Sequence, residues 1–376
     1  MSTAALAPRR SLPSLERYGR HREATARWLL RSIERGRGGS CAHFSLAGGW
    51  SRPYPETTGY LIPTLFALED EVPSLGPRAP ALVLGGWLAS IQNADGSWNG
   101  GLHPARRPRP SVFNTGQILK GMAALFDATG EERWLEAARR GARWLAAGVG
   151  AEGLWSGRDY RASETPSYYT HAAWPMLEVW KRTGEEPLRD AAERFLARVL
   201  ARRRENGSFE RWGFGDSPRA FTHTIAYTLR GLLESARILG DWERYGAPAA
   251  DALERLLKKA ELAGGWLPGE LDGEWHATSS AVCLTGSAQT AINLLLWERQ
   301  EPDLRIVNAA AKLVDRVCET QHVEHPIAGV RGAVAGSWPL WGGYMTLRYP
   351  NWAAKYHADA LTMLERRLAA EAERAA

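Results

Sequence analysis

Six helix-start signals of one kind recur along this 376-residue chain, at intervals of roughly 55–65 residues. They are Glu56-Thr57-Thr58-Gly59-Tyr60, Phe113-Asn114-Thr115-Gly116-Gln117, Tyr168-Tyr169-Thr170-His171, Thr222-His223-Thr224, Leu284-Thr285-Gly286-Ser287 and Tyr349-Pro350-Asn351-Trp352. Each opens an apolar stretch, and each is preceded one loop back by a more charged, amphipathic stretch. The first kind of helix is apolar nearly all round and belongs inside; the second shows one apolar stripe and faces water. The pattern predicts an all-α (α/α)6 toroid of six helical hairpins, with the inner helices parallel around a central funnel.

Outer helices are expected near 21–34, 81–92, 133–147, 188–203, 248–260 and 303–320. Inner helices are expected near 58–68, 115–128, 171–182, 224–239, 287–298 and 353–366. Turns such as Ala128-Thr129-Gly130-Glu131 and Arg182-Thr183-Gly184-Glu185 close inner helices on a glycine. Return loops repeat Gly with an aromatic or Leu, as in Asp95-Gly96-Ser97-Trp98 and Glu152-Gly153-Leu154-Trp155, which reads as structural plugging between hairpins. No linker or low-complexity run divides the chain. One domain is expected over 18–368, with a loose arm at 1–17 and a frayed tail at 369–376.

The formal charge of +5 is mild, and the basic residues are interleaved with acidic ones. Nucleic-acid binders concentrate their basic residues, so no nucleic-acid partner is expected. Cys41, Cys283 and Cys318 form no CxxC pattern, which points to a reducing compartment rather than a disulfide framework. No stretch is long and apolar enough to span a membrane, and no export signal is legible, so the expectation is a cytoplasmic protein. No cofactor is expected. Cys318, His322 and His325 have ligand-like spacing but lack a fourth partner, so no metal is expected either.

In such a toroid the inner-helix N-termini gather at one end, where their unpaired N–H groups and dipoles favour an anion. Around the six starts lie Tyr54, Glu56 and Tyr60; His103, Asn114 and Gln117; Tyr168, Tyr169 and His171; Trp212, His223 and Tyr227; Trp275, His276 and Gln289; and Trp341, Tyr344, Arg348, Asn351, Trp352, Lys355 and Tyr356. Aromatic faces that stack on sugar C–H surfaces, mixed with amides and hydroxyls, are what a carbohydrate site needs. Glycoside hydrolysis requires two carboxyl groups flanking one bond, and the candidates are Glu56, Glu164, Glu210, Asp216, Asp272 and Glu274. Proton abstraction beside a carboxylate requires a base, an acid on the opposite face and groups that neutralise the developing charge. His223 and Tyr227 share one face of the fourth inner helix. Asn114, Gln117 and Arg348 are the candidate neutralisers.

Three resemblances bear on the fold and the chemistry. Gln92-Asn93-Ala94-Asp95-Gly96-Ser97-Trp98 resembles the Gln–Trp turn of triterpene cyclases, which also use α/α barrels, but their Asp-x-Asp-Asp acid motif is absent here. Tyr349-Pro350-Asn351-Trp352-Ala353-Ala354-Lys355-Tyr356-His357 resembles a segment of the glucuronyl C5-epimerases. Tyr344 with Arg348, Tyr54–Thr58 and Glu164–Ser167 resemble further parts of that family's site. This second likeness implies a catalytic Tyr356. A broader likeness joins the chain to the α/α-barrel polysaccharide lyases.

The expected function is an enzyme that abstracts the C5 proton of a uronic-acid sugar, as an epimerase or a β-eliminating lyase, on an acidic sugar or oligosaccharide. Tyr356, His223, Tyr227, Tyr54 and Glu56 are the candidate catalytic groups, and the remaining residues around the six starts are candidates for binding. The alternatives are a six-hairpin glycoside hydrolase of the uronide type, a terpene-cyclase-like enzyme, and a non-catalytic glycan-binding toroid.

Overall fold

The structure, a computed structural model, describes residues 12–155 and 163–375. Among these residues twelve α-helices follow one another: α1 (Leu12–Gly36), α2 (Pro55–Ala67), α3 (Arg78–Ser90), α4 (Val112–Thr129), α5 (Glu132–Ala147), α6 (Thr170–Thr183), α7 (Glu186–Leu200), α8 (Thr222–Leu239), α9 (Ala247–Leu262), α10 (Leu284–Glu298), α11 (Leu304–Thr320) and α12 (Asn351–Ala375). The even-numbered helices pack side by side in a closed ring, α2–α4–α6–α8–α10–α12 and back to α2, with the odd-numbered helices outside them. This is the (α/α)6 toroid. None of these helices is long and apolar enough to cross a membrane.

Burial follows the two sequence patterns. Fourteen of the fifteen residues of α10 are buried, so it has no solvent face. In α5 only Trp134, Leu135, Ala137, Ala138, Gly141, Ala142 and Leu145 are buried, one stripe at helical spacing. Inner helices crowd closely where glycine stands in their second turn. A Cβ on Gly59 would lie 2.6 Å from the Ile118 Cα, and one on Gly116 would lie 2.7 Å from the Ala172 Cβ. The repeated Thr-Gly signature is therefore a packing device between neighbouring inner helices.

The same signature marks the helix starts only approximately, because its residues lie inside the helices rather than at their caps. Each inner helix begins one to three residues earlier than the pattern suggests, so Asn114 and Thr222 lie inside their helices. The N-caps of α2, α4, α6, α8 and α10 are Tyr54, Ser111, Tyr169, Phe221 and Cys283, of which only Ser111 and Cys283 cap with their side chains. Thr58 and Thr115 instead accept from the loops that lead into the hairpins, at 2.9 Å from Ser40 N and 3.0 Å from Trp98 N. At the other ends Gly130 and Gly184 close α4 and α6 with φ of 69° at both.

The return-loop plugs recur with one geometry. Trp98 donates its indole N–H to the Leu88 carbonyl at 2.8 Å, and Trp155 does the same to Leu145 at 3.0 Å, each on the outer helix just finished. Trp98 is wholly buried, so its removal leaves a large cavity, a loss of about 3–5 kcal/mol for a Trp→Ala change.

Short strands link the loops that enter the inner helices. β1 (His43–Ser45) pairs antiparallel with β2 (Gly49–Trp50) and with β7 (Arg348–Pro350); β3 (Arg219–Phe221) pairs with β4 (Glu270–Asp272), and β5 (Val282–Cys283) with β6 (Ser337–Trp338). The β1–β7 pair joins the two ends of the chain, with Phe44 opposite Tyr349. Of the arm read at 1–17, residues 1–11 lie outside the described residues and 12–17 already belong to α1. The segment 369–376 was read as frayed; α12 continues through it as far as Ala375.

Candidate functional site

A cavity of about 640 Å³ opens at the N-terminal ends of the inner helices. Its wall is built from the residues that enter or begin five of the six: Tyr54 and Glu56 of α2, Ser111, Phe113 and Asn114 of α4, Tyr168 and Tyr169 before α6, His223 and Tyr227 of α8, and Tyr344, Met345 and Trp352 around the start of α12. Phe214 and the 100–109 loop complete it, the loop through Gly100, Gly101, Arg107 and Arg109.

Aromatic rings line much of this wall. Phe113 packs against Tyr168, Tyr169 and Tyr227 with centroids 5.5, 5.3 and 5.4 Å apart. Tyr344 lies 5.2 Å from the His223 ring, and its hydroxyl accepts from the Trp352 indole at 2.8 Å. Tyr54 donates to the Glu56 carboxylate. The order of the ring puts α2 three helices from α8 in either direction. The Tyr54–Glu56 pair and the His223–Tyr227 pair therefore stand on opposite walls of the funnel.

On the α8 wall the two rings lie 4.4 Å apart, centroid to centroid. His223 Nδ1 is 2.8 Å from the Gln289 side-chain oxygen. A carboxamide oxygen only accepts, so the ring proton sits on Nδ1 and Nε2 carries a free lone pair. Burial lowers the His223 pKa to about 4, with the Gln289 hydrogen bond opposing it, so the imidazole is neutral at physiological pH. Burial also drives the Tyr227 phenol well above its ordinary range, which keeps it protonated. The wall thus combines a neutral base with a proton-bearing phenol.

Beneath the cavity a second polar layer crosses the axis, and Tyr60, Lys120, Lys355 and Asp359 of that layer also line a further cavity of about 360 Å³ on its far side. His171 Nδ1 lies 2.9 Å from the Gln117 amide oxygen, repeating the His–Gln arrangement above. Lys120 Nζ approaches His171 to 3.4 Å and lies over the Tyr60 and Trp174 rings. Burial, and then the nearby Lys355 and Arg230, hold Lys120 well below the usual lysine range. Lys355 is ion-paired with Asp359 at 2.5 Å. Tyr356 stacks 5.9 Å from Tyr60 and 6.0 Å from Tyr227, and its hydroxyl is buried without a hydrogen-bond partner.

Several expected site residues therefore lie away from the cavity. Tyr60, Gln117, Gln289, Lys355 and Tyr356 belong to the layer beneath it, because their side chains leave the inner helices a turn or more below the start; His171, although second in α6, joins that layer under Phe113 and Tyr227. Asn351 is a structural tie, donating at 2.8 Å to both Ser32 and Ser40. Trp212 and Trp275 pack on each other at 5.2 Å within the loops. His103 sits edge-on to Trp87, and His276 pairs with Asp272 at 3.2 Å on the surface. Trp341 and Arg348 are exposed and do not line the cavity, Arg348 being on the rim strand β7. The arginines that line the cavity are instead Arg107 and Arg109. These two stand in the loop before α4, which in sequence reads only as a long Pro-containing connection. Phe113 was signalled by its place beside Asn114; Phe214, in a loop, carried no such signal.

The carboxylates other than Glu56 are engaged elsewhere. Glu164 pairs with Arg202 at 2.9 Å, Asp216 with Arg211 at 2.8 Å, and Glu210 and Glu274 both approach Arg204 at 3.7 Å. Among the described lining residues Glu56 is the one carboxylate in the cavity. Cys318 is buried and faces His357, so it does not join His322 and His325, whose rings lie 5.5 Å from each other.

No protein family and no curated protein matches the chain by sequence. Solved structures match it in fold. An unsaturated glucuronyl hydrolase specific for heparin superposes with a TM-score of 0.75 at 14% identity, over 94% of this chain and 98% of its own. An unsaturated glucuronyl hydrolase from Bacillus sp. GL1, responsible for the degradation of glycosaminoglycan, gives 0.73 at 16% identity, over 93% and 97%. A cellobiose 2-epimerase from Bacillus thermoamylovorans gives 0.73 at 10% identity, over 95% and 100%.

Proposed function

We propose that this chain is a carbohydrate-active enzyme that removes the proton at C5 of a uronic-acid sugar, with epimerisation as the outcome the site favours. The observation that carries the reading is the pair of opposed walls: a neutral His223 with a free Nε2 on α8, and the Tyr54–Glu56 pair on α2. His223 Nε2 takes the C5 proton, and the electron pair left on C5 spreads into the sugar carboxylate. A proton delivered to C5 from the Tyr54–Glu56 side inverts the centre; expulsion of the O4 substituent instead gives an unsaturated uronide. Arg107 and Arg109 at the mouth favour capture of the acidic substrate, and the helix N-termini favour its developing charge. Solved structures of the same fold that bear the names of uronide hydrolases and a sugar epimerase support a sugar substrate.

A hydrolase acting on a uronide is the second reading, favoured by the two glucuronyl hydrolases of the same fold. Glu56 would be its acid, and a partner carboxyl is lacking among the described lining residues. Incubation of the protein with uronate oligosaccharides in D2O separates the outcomes. Deuterium at C5 marks epimerisation, and a new near-ultraviolet absorbance marks elimination. A new reducing end with neither change overturns the proposal and transfers the chemistry to Glu56.

A further inference from the structure

We infer that His21, Cys318 and His357 form a zinc-type metal site that ties the first helix of the toroid to the last hairpin. One ligand atom from each of these three side chains lies within 4.8 Å of the other two. They come from α1, α11 and α12, so the site exists only where the ring closes. Cys318 Sγ and His357 Nε2 are 3.8 Å apart. One thiolate and two imidazoles form a donor set suited to a tetrahedral divalent ion, with bonds of about 2.3 Å to sulfur and 2.0–2.1 Å to nitrogen. Such bonds put a sulfur and a nitrogen ligand roughly 3.5 Å apart, close to the spacing already present.

The surroundings orient the ligands. Gln321 donates its amide N–H groups to Thr25 Oγ1 at 2.7 Å and to the Gly332 carbonyl at 2.8 Å. Its oxygen must then face His21 Nδ1, from which it accepts at 2.6 Å. The His21 proton is held on Nδ1 and its Nε2 lone pair is left for an ion, the arrangement by which metal-binding histidines are usually fixed. His357 is wholly buried, its Nδ1 meets no hydrogen-bond partner, and its Nε2 faces only the thiol. His21 is half-buried, so solvent can supply the fourth ligand. On binding, Cys318 releases its thiol proton to solvent and the thiolate takes the ion. Around the site, Asp315 accepts from Tyr18 at 2.7 Å and lies 3.6 Å from Arg17, and Arg20 and Glu319 add a second charge of each sign near the ligands.

The test uses the full chain, stripped with a chelator and titrated with Co(II) alone. One equivalent is expected to bind, with a near-ultraviolet thiolate-to-cobalt band and the visible bands of a four-coordinate ion. Cys318→Ser is expected to remove the thiolate band. His21→Ala, a change at a half-buried position, is expected to weaken binding at least ~10-fold, and Gln321→Ala about 10–100-fold. The double variant His322→Ala/His325→Ala is expected to bind as the parent does. Zinc should raise the thermal midpoint of the parent in proportion to the logarithm of its free concentration, and should not raise that of His21→Ala. The proposal is overturned if the parent shows no thiolate band, or if His21→Ala keeps the parent's band and affinity. Should Cys318→Ser fail to fold, His21→Ala alone decides.

Discussion

Gln289 accepts a 2.8 Å hydrogen bond from Nδ1 of His223, across 66 residues of sequence and between two adjacent inner helices. That contact chooses the tautomer of the one imidazole in the cavity wall. It also opposes the burial that holds His223 at about 4, because an imidazolium would donate more strongly to the amide oxygen. The chemistry of the wall thus depends on a residue that does not itself line the cavity.

His223→Ala is expected to lower kcat/KM by roughly 10²–10⁴-fold, the usual loss on removing a general base, while circular dichroism and thermal midpoint stay near the parent's. Gln289→Leu removes the contact that raises the His223 pKa. Its low-pH limb of kcat/KM, set near 4 in the parent, should therefore move to lower pH. A limb that does not move assigns Gln289 to packing.

Tyr227 and Tyr356 lie 6.0 Å apart between ring centroids, yet only Tyr227 lines the cavity. Tyr227→Phe should reduce turnover. Tyr356→Phe removes a buried hydroxyl that makes no hydrogen bond of ordinary geometry, with Tyr227 and Gln289 its nearest polar neighbours, so thermal stability should hold and turnover should stay within a few-fold. Loss of turnover in Tyr356→Phe at unchanged stability would restore the catalytic role that its likeness to the epimerases implies.

Arg107 and Arg109 are exposed at the cavity mouth. The double change to Gln should raise KM for an acidic sugar and flatten its dependence on salt, while kcat and the thermal midpoint stay close to the parent's. An unchanged KM across ionic strength would remove both residues from substrate capture.

Acid should unfold this protein early. Burial lowers the pKa of His223 to about 4 and of His357 to about 3, and takes His171 well below 6.5. In the unfolded chain these groups bind protons near 6.5. Between that value and their folded values the unfolded state holds more protons, so stability rises with pH and is lost on acidification. Each fully protected histidine contributes a slope of up to about 1.4 kcal/mol per pH unit. Glu365, raised to about 7 mainly by burial, acts in the opposite sense, as one group against these histidines and the likewise lowered His21 and His43. Urea midpoints measured from pH 7 to pH 4 should fall steeply; a flat profile would contradict the buried, neutral histidines.

Gly59→Ala places a methyl group 2.6 Å from the Ile118 backbone, where no flexible side chain can give way. The expected cost is about 1–3 kcal/mol, read as a lower denaturant midpoint. Gly76→Ala, at a φ of 57° but with open space around it, separates backbone strain from crowding.

Helix number, helix order and the inner or outer place of each helix were legible in the sequence. Burial all round or on one stripe is written directly in the spacing of apolar residues, as α10 and α5 show. The end of the ring that carries the cavity was legible too, because parallel inner helices must gather their N-termini there. Depth along the axis was not. His223 and His171 stand at equivalent helix starts, yet one lines the cavity and the other lies beneath it. Both are the second residue of their helices, so position along the helix does not separate them; packing does, with His171 set against the cavity-lining rings of Phe113 and Tyr227. Loop residues were equally hidden: Arg107, Arg109 and Phe214 have no periodicity, and only the packed ring brings them to the mouth. The meeting of His21, Cys318 and His357 lies furthest from the sequence. Spacing joined Cys318 to His322 and His325, its neighbours along the chain, whereas closure of the toroid sets α1 against α12 and joins it to residues of the first and last helices.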